Sequence, residues 1–173
     1  TAKAITSGAA PLGALFVKDK YFEPFKEGTA TFAHGYTFAA HPVACAVALA
    51  NLEIYENEKV VDNVRTNSPI LRKTLEKLMD LPIVGDVRGD GYFFAIELVK
   101  DKKTKETFTR AESEKLLRGF LNGAIYEAGL YCRADDRGDP VVQIAPPLTL
   151  GPAEFAEIEQ ILRKVLTEAG KRI

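Results

Sequence analysis

The spacing of hydrophobic positions changes repeatedly along the chain, and each change predicts an element. Residues 1–11 are small and polar, rich in Thr, Ser, Gly and Ala, so a loop is expected there. Residues 12–17 then form a short apolar run of strand length. After a turn-prone segment at Glu27 and Gly28, the residues Val43, Ala46, Val47, Ala50 and Ile54 recur at helical spacing over residues 41–56. Pro42 suits the first turn of that helix. A second helical pattern covers residues 59–79 through Val60, Val61, Val64, Ile70, Leu71, Leu75 and Leu78. Pro69 lacks a backbone donor and predicts either two helices or one kinked helix.

The second half has another character. Residues 83–87 and 92–99 are apolar runs with β-branched and aromatic content, and Arg88-Gly89-Asp90-Gly91 between them reads as a turn joining two strands. The polar stretch 100–107 is expected to be a loop. Thr109 and Glu112 have capping-box spacing ahead of Leu116, Leu117, Phe120, Leu121, Ala124 and Ile125, so a helix should run to about residue 128 and close at Gly129. Residues 130–132 and 141–144 predict two more strands. Gly151-Pro152 opens a last helix with Phe155, Ile158, Ile161, Leu162, Val165 and Leu166 on one face. From about residue 57 the pattern is helices on one side of a small sheet, an α+β module.

Composition narrows the class. With 173 residues, 46% of them hydrophobic, the chain can build one good core, or one small domain plus a piece of another. The 23 Lys and Arg nearly cancel the 24 Asp and Glu, so no long-range field draws it to nucleic acid or an anionic membrane. Small molecules or protein surfaces are the expected partners. No stretch approaches the roughly 20 apolar residues of a membrane span, and no basic segment precedes an apolar core, which predicts a soluble, cytoplasmic protein. Cys45 and Cys132 lack the spacing of a disulfide framework or a metal site and are expected to be small buried hydrophobes. The chain opens with Thr1-Ala2-Lys3, and its only methionine is Met79, so it is expected to be a fragment.

Three places could carry chemistry. Lys3 sits among Ala2, Ala4, Thr6, Ser7 and Gly8. A lysine reached from a cavity can form an imine with an aldehyde once burial or a neighbouring cation makes it nucleophilic, whereas a lysine at a mobile chain end is merely solvated. His34-Gly35-Tyr36-Thr37-Phe38, followed by His41-Pro42 and a helix, offers hydroxyls and free N–H groups for an anion, or simply caps the helix. The two histidines have no acidic or cysteine companions at ligand spacing, so no metal is expected. Arg133, at the end of a predicted strand, could clasp a carboxylate through its planar fork, or pair with Asp135, Asp136 or Asp139 at the surface. Gly85, Gly89 and Gly91 have the wrong spacing for a dinucleotide fingerprint and read as turn glycines.

The order of these segments is more specific than any one of them. Ala2-Lys3-Ala4-Ile5-Thr6-Ser7-Gly8 with Pro11-Leu12-Gly13-Ala14 resembles the cofactor-lysine segment of class III aminotransferases, the omega-transaminase group. His34-Gly35-Tyr36-Thr37-Phe38 through His41-Pro42-Val43-Ala44-Cys45-Ala46 resembles that family's His-Gly, Thr and His-Pro block. Val87-Arg88-Gly89-Asp90-Gly91 with Ala95-Ile96-Glu97-Leu98, and Ile144-Ala145-Pro146-Pro147-Leu148, resemble motifs of its small domain.

The resemblance implies an α/β parent of fold type I, dependent on pyridoxal phosphate. Residues 1–56 would be the C-terminal end of its large cofactor-binding domain, and residues 57–173 a small C-terminal α+β domain. It implies that Lys3 holds the cofactor covalently and then shuttles the substrate proton. Thr37 would bind the cofactor phosphate in the partner subunit's site, so that a homodimer is the active form. Arg133 matches the mobile arginine that binds substrate carboxylate. The ornithine branch usually carries an arginine where this chain has Gln143, which favours the pyruvate-using branch. The implied reaction moves an amino group from an amine or omega-amino acid to pyruvate or another keto acid. Ala9 and Phe38-Ala39-Ala40 depart from the family's usual residues at positions that flank the site. The ring-nitrogen aspartate, the stacking aromatic and the phosphate loop belong to the family's N-terminal part. The chain alone is therefore expected to be inactive. Its rivals are a non-catalytic structural module, and an aminomutase or decarboxylase relative.

Overall fold

A computed structural model of the chain describes residues 1–28, 31–135 and 137–173. Its contacts divide into two units, Thr1–Lys59 and Val60–Ile173.

The first unit holds a 3-10 turn at Lys3–Thr6, helix α1 at Asp19–Glu27 and helix α2 at Pro42–Asn57. Helix α1 is an element the sequence reading did not include, although Tyr21, Phe22 and Phe25 are spaced along one helical face; Pro24 lies inside it. The run at residues 12–17 forms no strand. Gly13 makes a single antiparallel bridge to Ala2, and Leu15 and Phe16 are more than four-fifths exposed. An apolar run becomes a strand only beside a partner for its backbone, and among the described residues none lies alongside. Helix α2 forms as expected, but the face it packs is Ala44, Ala48 and Asn51, while Val43 and Ile54 are exposed.

The second unit contains the main core. Helix α3, Val60–Glu76, runs unbroken through Pro69 and tightens into a 3-10 turn at Lys77–Asp80. Strands β1, Val84–Asp90, and β2, Phe93–Leu98, form a hairpin. Gly85 and Gly89 therefore lie within a strand, and only Gly91 sits in the turn. The Thr109–Glu112 capping box starts α4, Arg110–Ser113, which continues as a π-helix over Glu114–Leu121 and ends as α5, Asn122–Glu127. Strands β3, Arg133–Asp135, and β4, Val141–Ile144, complete an antiparallel sheet of order β1-β2-β4-β3, and helix α6 spans Pro152–Ala169. The strand expected at residues 130–132 thus begins at Arg133.

Alternation along the strands separates two faces. Val87, Phe94, Ile96, Ala134, Val142 and Ile144 are buried against the helices, with Leu71, Leu117, Phe155 and Leu162 among the side chains they meet in one core. Full burial of each large apolar side chain contributes on the order of 1.5–3 kcal/mol. Arg88, Ala95, Gln143 and Arg133 pair in sequence across the other face, as do Asp86, Glu97, Val141 and Asp135. This is the one-sided α+β arrangement expected from about residue 57.

Candidate functional site

Lys3 stands at the start of the 3-10 turn with φ of 56°, in the left-handed region, and Ser7 closes the turn at φ 48°. Side chains with a Cβ enter this region only when neighbours hold them there. Asn51 of α2 does so. Its amide donates to the carbonyls of Ala4 and Ile5, both at 3.1 Å, and its oxygen accepts from the Ser7 hydroxyl at 2.7 Å. Thr6 adds a hydroxyl bond to Ala10 O at 2.6 Å, and both Thr6 and Asn51 are buried. The backbone under Lys3 is thereby fixed from one side while its side chain is exposed. Among the described residues the Lys3 amine has no hydrogen-bond or ion-pair partner. Sequence reading missed Asn51; the available signal was an amide three residues after Ala48 in the middle of a helix that is otherwise mainly apolar.

Thr37 lies exposed in the turn over residues 37–40, where Ala40 has φ of 57°. The turn leads into α2, whose N-cap is His41; its Nδ1 accepts weakly from Ala44 N at 3.5 Å. Lys3 and Thr37 both belong to the first unit, and Arg133 to the second.

Arg133 opens edge strand β3. Its neighbour Ala134 is held on two sides, by Val142 of β4 and by the Asn122 side chain, which accepts from Ala134 N at 2.9 Å and donates to its carbonyl at 3.3 Å. Asn122 follows directly on the π-helix, whose wider turns shift the phase of the residues after it. The surface ion pair open to Arg133 is formed: Nη2 lies 2.8 Å from Asp135 Oδ2. Asp136 lies outside the described residues, and Asp139 pairs instead with Arg88 at 3.1 Å. Asp135 is buried, and Arg137 hydrogen bonds together with the Arg133 charge hold its carboxyl down to about 2.

Arg133 and Gln143, directly opposite each other on β3 and β4, line a cavity of about 840 Å³ with Phe93, Tyr126, Pro146 and Pro147. The proline loop is tied down by Asn63 of α3, whose amide donates to Leu148 O at 2.8 Å and Leu150 O at 3.1 Å. The Tyr92 hydroxyl adds a bond to Leu150 O at 2.9 Å. Cys132 also faces this cavity, and burial pushes its thiol up to about 11, so it lines the wall as a small hydrophobe rather than a nucleophile. An arginine, an amide and aromatic edges around an apolar pocket can orient a small molecule bearing a carboxylate. Among the described residues no group of His, Cys, Asp and Glu could hold a metal, and no helix is long and apolar enough to cross a membrane.

Comparison with known proteins gives these places a family. The family model for aminotransferase class-III matches residues 1–166. A Mycobacterium tuberculosis protein named probable aminotransferase Rv3329 is 63% identical over 171 residues, which are 99% of this chain and 36% of that protein. The putrescine–pyruvate aminotransferase of Pseudomonas aeruginosa is 39% identical over 175 residues, with 99% and 36% covered. Among solved structures, an (S)-enantioselective omega-transaminase from Thermomicrobium roseum superposes with a TM-score of 0.87 at 36% identity, covering 97% of this chain and 36% of that one. The chain therefore spans about a third of the length of these relatives. It carries part of the fold-type-I architecture of the pyridoxal-phosphate transaminases. A match to the family model along nearly its whole length, with relatives this similar, makes the chain a member of the pyridoxal-phosphate-dependent class III aminotransferase family.

Proposed function

We propose that the chain supplies the cofactor lysine and the small domain of a transaminase that moves an amino group from an amine or omega-amino acid to pyruvate or another keto acid. The observation that carries this reading is the presentation of Lys3. Its backbone is held in a left-handed conformation over the buried Asn51, while its amine is exposed and unpaired among the described residues. Such an amine fits covalent attachment to the aldehyde of pyridoxal phosphate.

When bound, the cofactor supplies an electron sink for the amino-group transfer. The protein's part falls to three side chains. Lys3 Nζ holds the cofactor and then carries the proton at the substrate carbon. Thr37 offers an exposed hydroxyl to a phosphate oxygen, in the partner subunit's site. Arg133 grips the carboxylate of a keto acid or omega-amino acid at the mouth of the 840 Å³ cavity. Leu15, Phe16, Tyr36 and Phe38 of the first unit are large apolar side chains left exposed, and a homodimer is one way to cover them. The name of the Pseudomonas relative supports an amine donor and pyruvate as acceptor. In this reading residues 1–56 end the large domain and residues 57–173 form the small one, which the division of contacts after Lys59 supports. The enzyme would work in the cytoplasm.

Borohydride reduction of the full-length protein loaded with pyridoxal phosphate, followed by peptide mapping, tests the central assignment. The label should sit on Lys3, and Lys3→Ala should abolish both the label and turnover. A label on another lysine would overturn the assignment.

A further inference from the structure

Asp135 is a buried carboxylate on an edge strand, and such a group persists only with partners. Arg137 provides most of them. Its Nε lies 3.3 Å from Oδ1 and 3.1 Å from Oδ2, its Nη2 2.9 Å from Oδ2, and its backbone N–H donates to Oδ1 at 3.1 Å. Arg133 adds a single contact, Nη2 to Oδ2 at 2.8 Å. The two arginines therefore play different parts. Arg137 takes both oxygens and offsets the charge, while Arg133 is held at one corner, with 54% of its side chain exposed.

The strand period explains the contact. Residues 133 and 135 alternate with the buried Ala134 and so share the open face of the sheet, where Gln143 lies across from Arg133. A guanidinium has five N–H donors, and the ion pair holds one corner of this one beside Asp135 while its donors remain for the cavity it lines. A long arginine side chain free in solvent loses rotamer freedom when it binds, so a fixed corner lowers the cost of closing on a ligand. A carboxylate whose charge is already offset by Arg137 anchors Arg133 without outcompeting an incoming acid.

We propose that Asp135 is the positioning residue of Arg133, fixing one corner of its guanidinium so that the remaining donors meet a substrate carboxylate in the cavity. This rests on the reading of Arg133 as the carboxylate-binding residue. Asp135 thereby sets how well keto acids are used relative to substrates without a carboxylate.

The test is steady-state kinetics of the full-length protein with pyruvate as acceptor and a simple amine as donor. Asp135→Asn keeps the shape and removes the charge. It should raise KM for pyruvate about tenfold, leave kcat within about twofold and leave KM for the amine unchanged. In an Arg133→Ala background the same substitution should no longer alter KM for pyruvate. Equal rises for pyruvate and amine, or no rise for either, would overturn the proposal. If Arg133→Ala leaves pyruvate use intact, the reading of Arg133 falls and this proposal with it. If Arg133→Ala raises KM and Asp135→Asn does not, only the positioning role falls. Should Asp135→Asn fail to fold, Arg137→Gln serves instead. It leaves the Asp135 charge to Arg133 alone, which should draw Arg133 off the cavity and raise KM for pyruvate with kcat preserved; an unchanged KM would overturn the proposal.

Discussion

The Ser7 hydroxyl donates to the side-chain oxygen of Asn51 at 2.7 Å, across 44 residues of sequence, and the same amide returns two bonds to the carbonyls of Ala4 and Ile5. One buried side chain on α2 thus holds the turn that presents Lys3. Asn51→Leu keeps the volume and removes every partner, and unsatisfied buried polar groups cost about 1–3 kcal/mol each. In the full-length protein this variant should lower the fraction of cofactor trapped by borohydride and lower the thermal midpoint. Undiminished trapping would show that the turn holds itself.

Gly89 lies in β1 opposite Phe94, with φ of +153°. An added Cβ would sit 2.1 Å from the Phe93 carbonyl oxygen and 2.6 Å from the Phe94 Cα, both backbone atoms that cannot step aside. Gly89→Ala is expected to destabilise the second unit by more than about 3 kcal/mol in urea denaturation, or to prevent folding. Gly123→Ala in α5, where nothing lies within 4 Å, should instead stabilise by about 0.5–1 kcal/mol. Similar outcomes at both positions would contradict the placement of Gly89 in the hairpin.

Glu112 closes the capping box of α4. The Thr109 backbone N–H, then Lys100, then the Thr109 hydroxyl hold its carboxyl down to about 2, from an ordinary 4.5. An acid whose folded pKa is depressed contributes stability above its unfolded pKa and loses it as pH falls through the folded value. Glu112→Gln retains the acceptor geometry and removes the charge. The stability difference between wild type and this variant should be greatest above pH 4.5 and shrink toward pH 2. A difference independent of pH would mean that the charge contributes nothing.

The main core is built from side chains of the second unit, whereas the first buries chiefly Thr6, Ala44, Ala48 and Asn51. Backbone amides exchange slowly where they belong to a cooperative core. In the 173-residue chain, hydrogen exchange should protect residues 60–173 far better than residues 1–40. Uniform protection would show that the first unit folds as firmly as the second.

Periodicity and capping were enough to read most of the second unit. The alternation of Phe94, Ile96 and Leu98, the Thr109–Glu112 box and the Gly151-Pro152 start are local signals, and local geometry realises them. Lys3, Thr37 and Arg133 were also legible as candidates, because a motif's order survives without its surroundings. Other features were not legible, for reasons of distance. Whether residues 12–17 pair depends on a neighbouring strand, and which face of α2 is buried depends on what packs against it. The π-helix that sets Asn122 against β3 is a choice among helical hydrogen-bond patterns that the side chains alone leave nearly equal. The Arg133–Asp135 pair was one of those the sequence offered, whereas Asn51 looks in sequence like any other amide. Only the tertiary structure puts Asn51 under the Lys3 turn, 44 positions from Ser7, because hydrogen bonds act over a few ångströms of space while the residues they join can lie tens of positions apart in the chain.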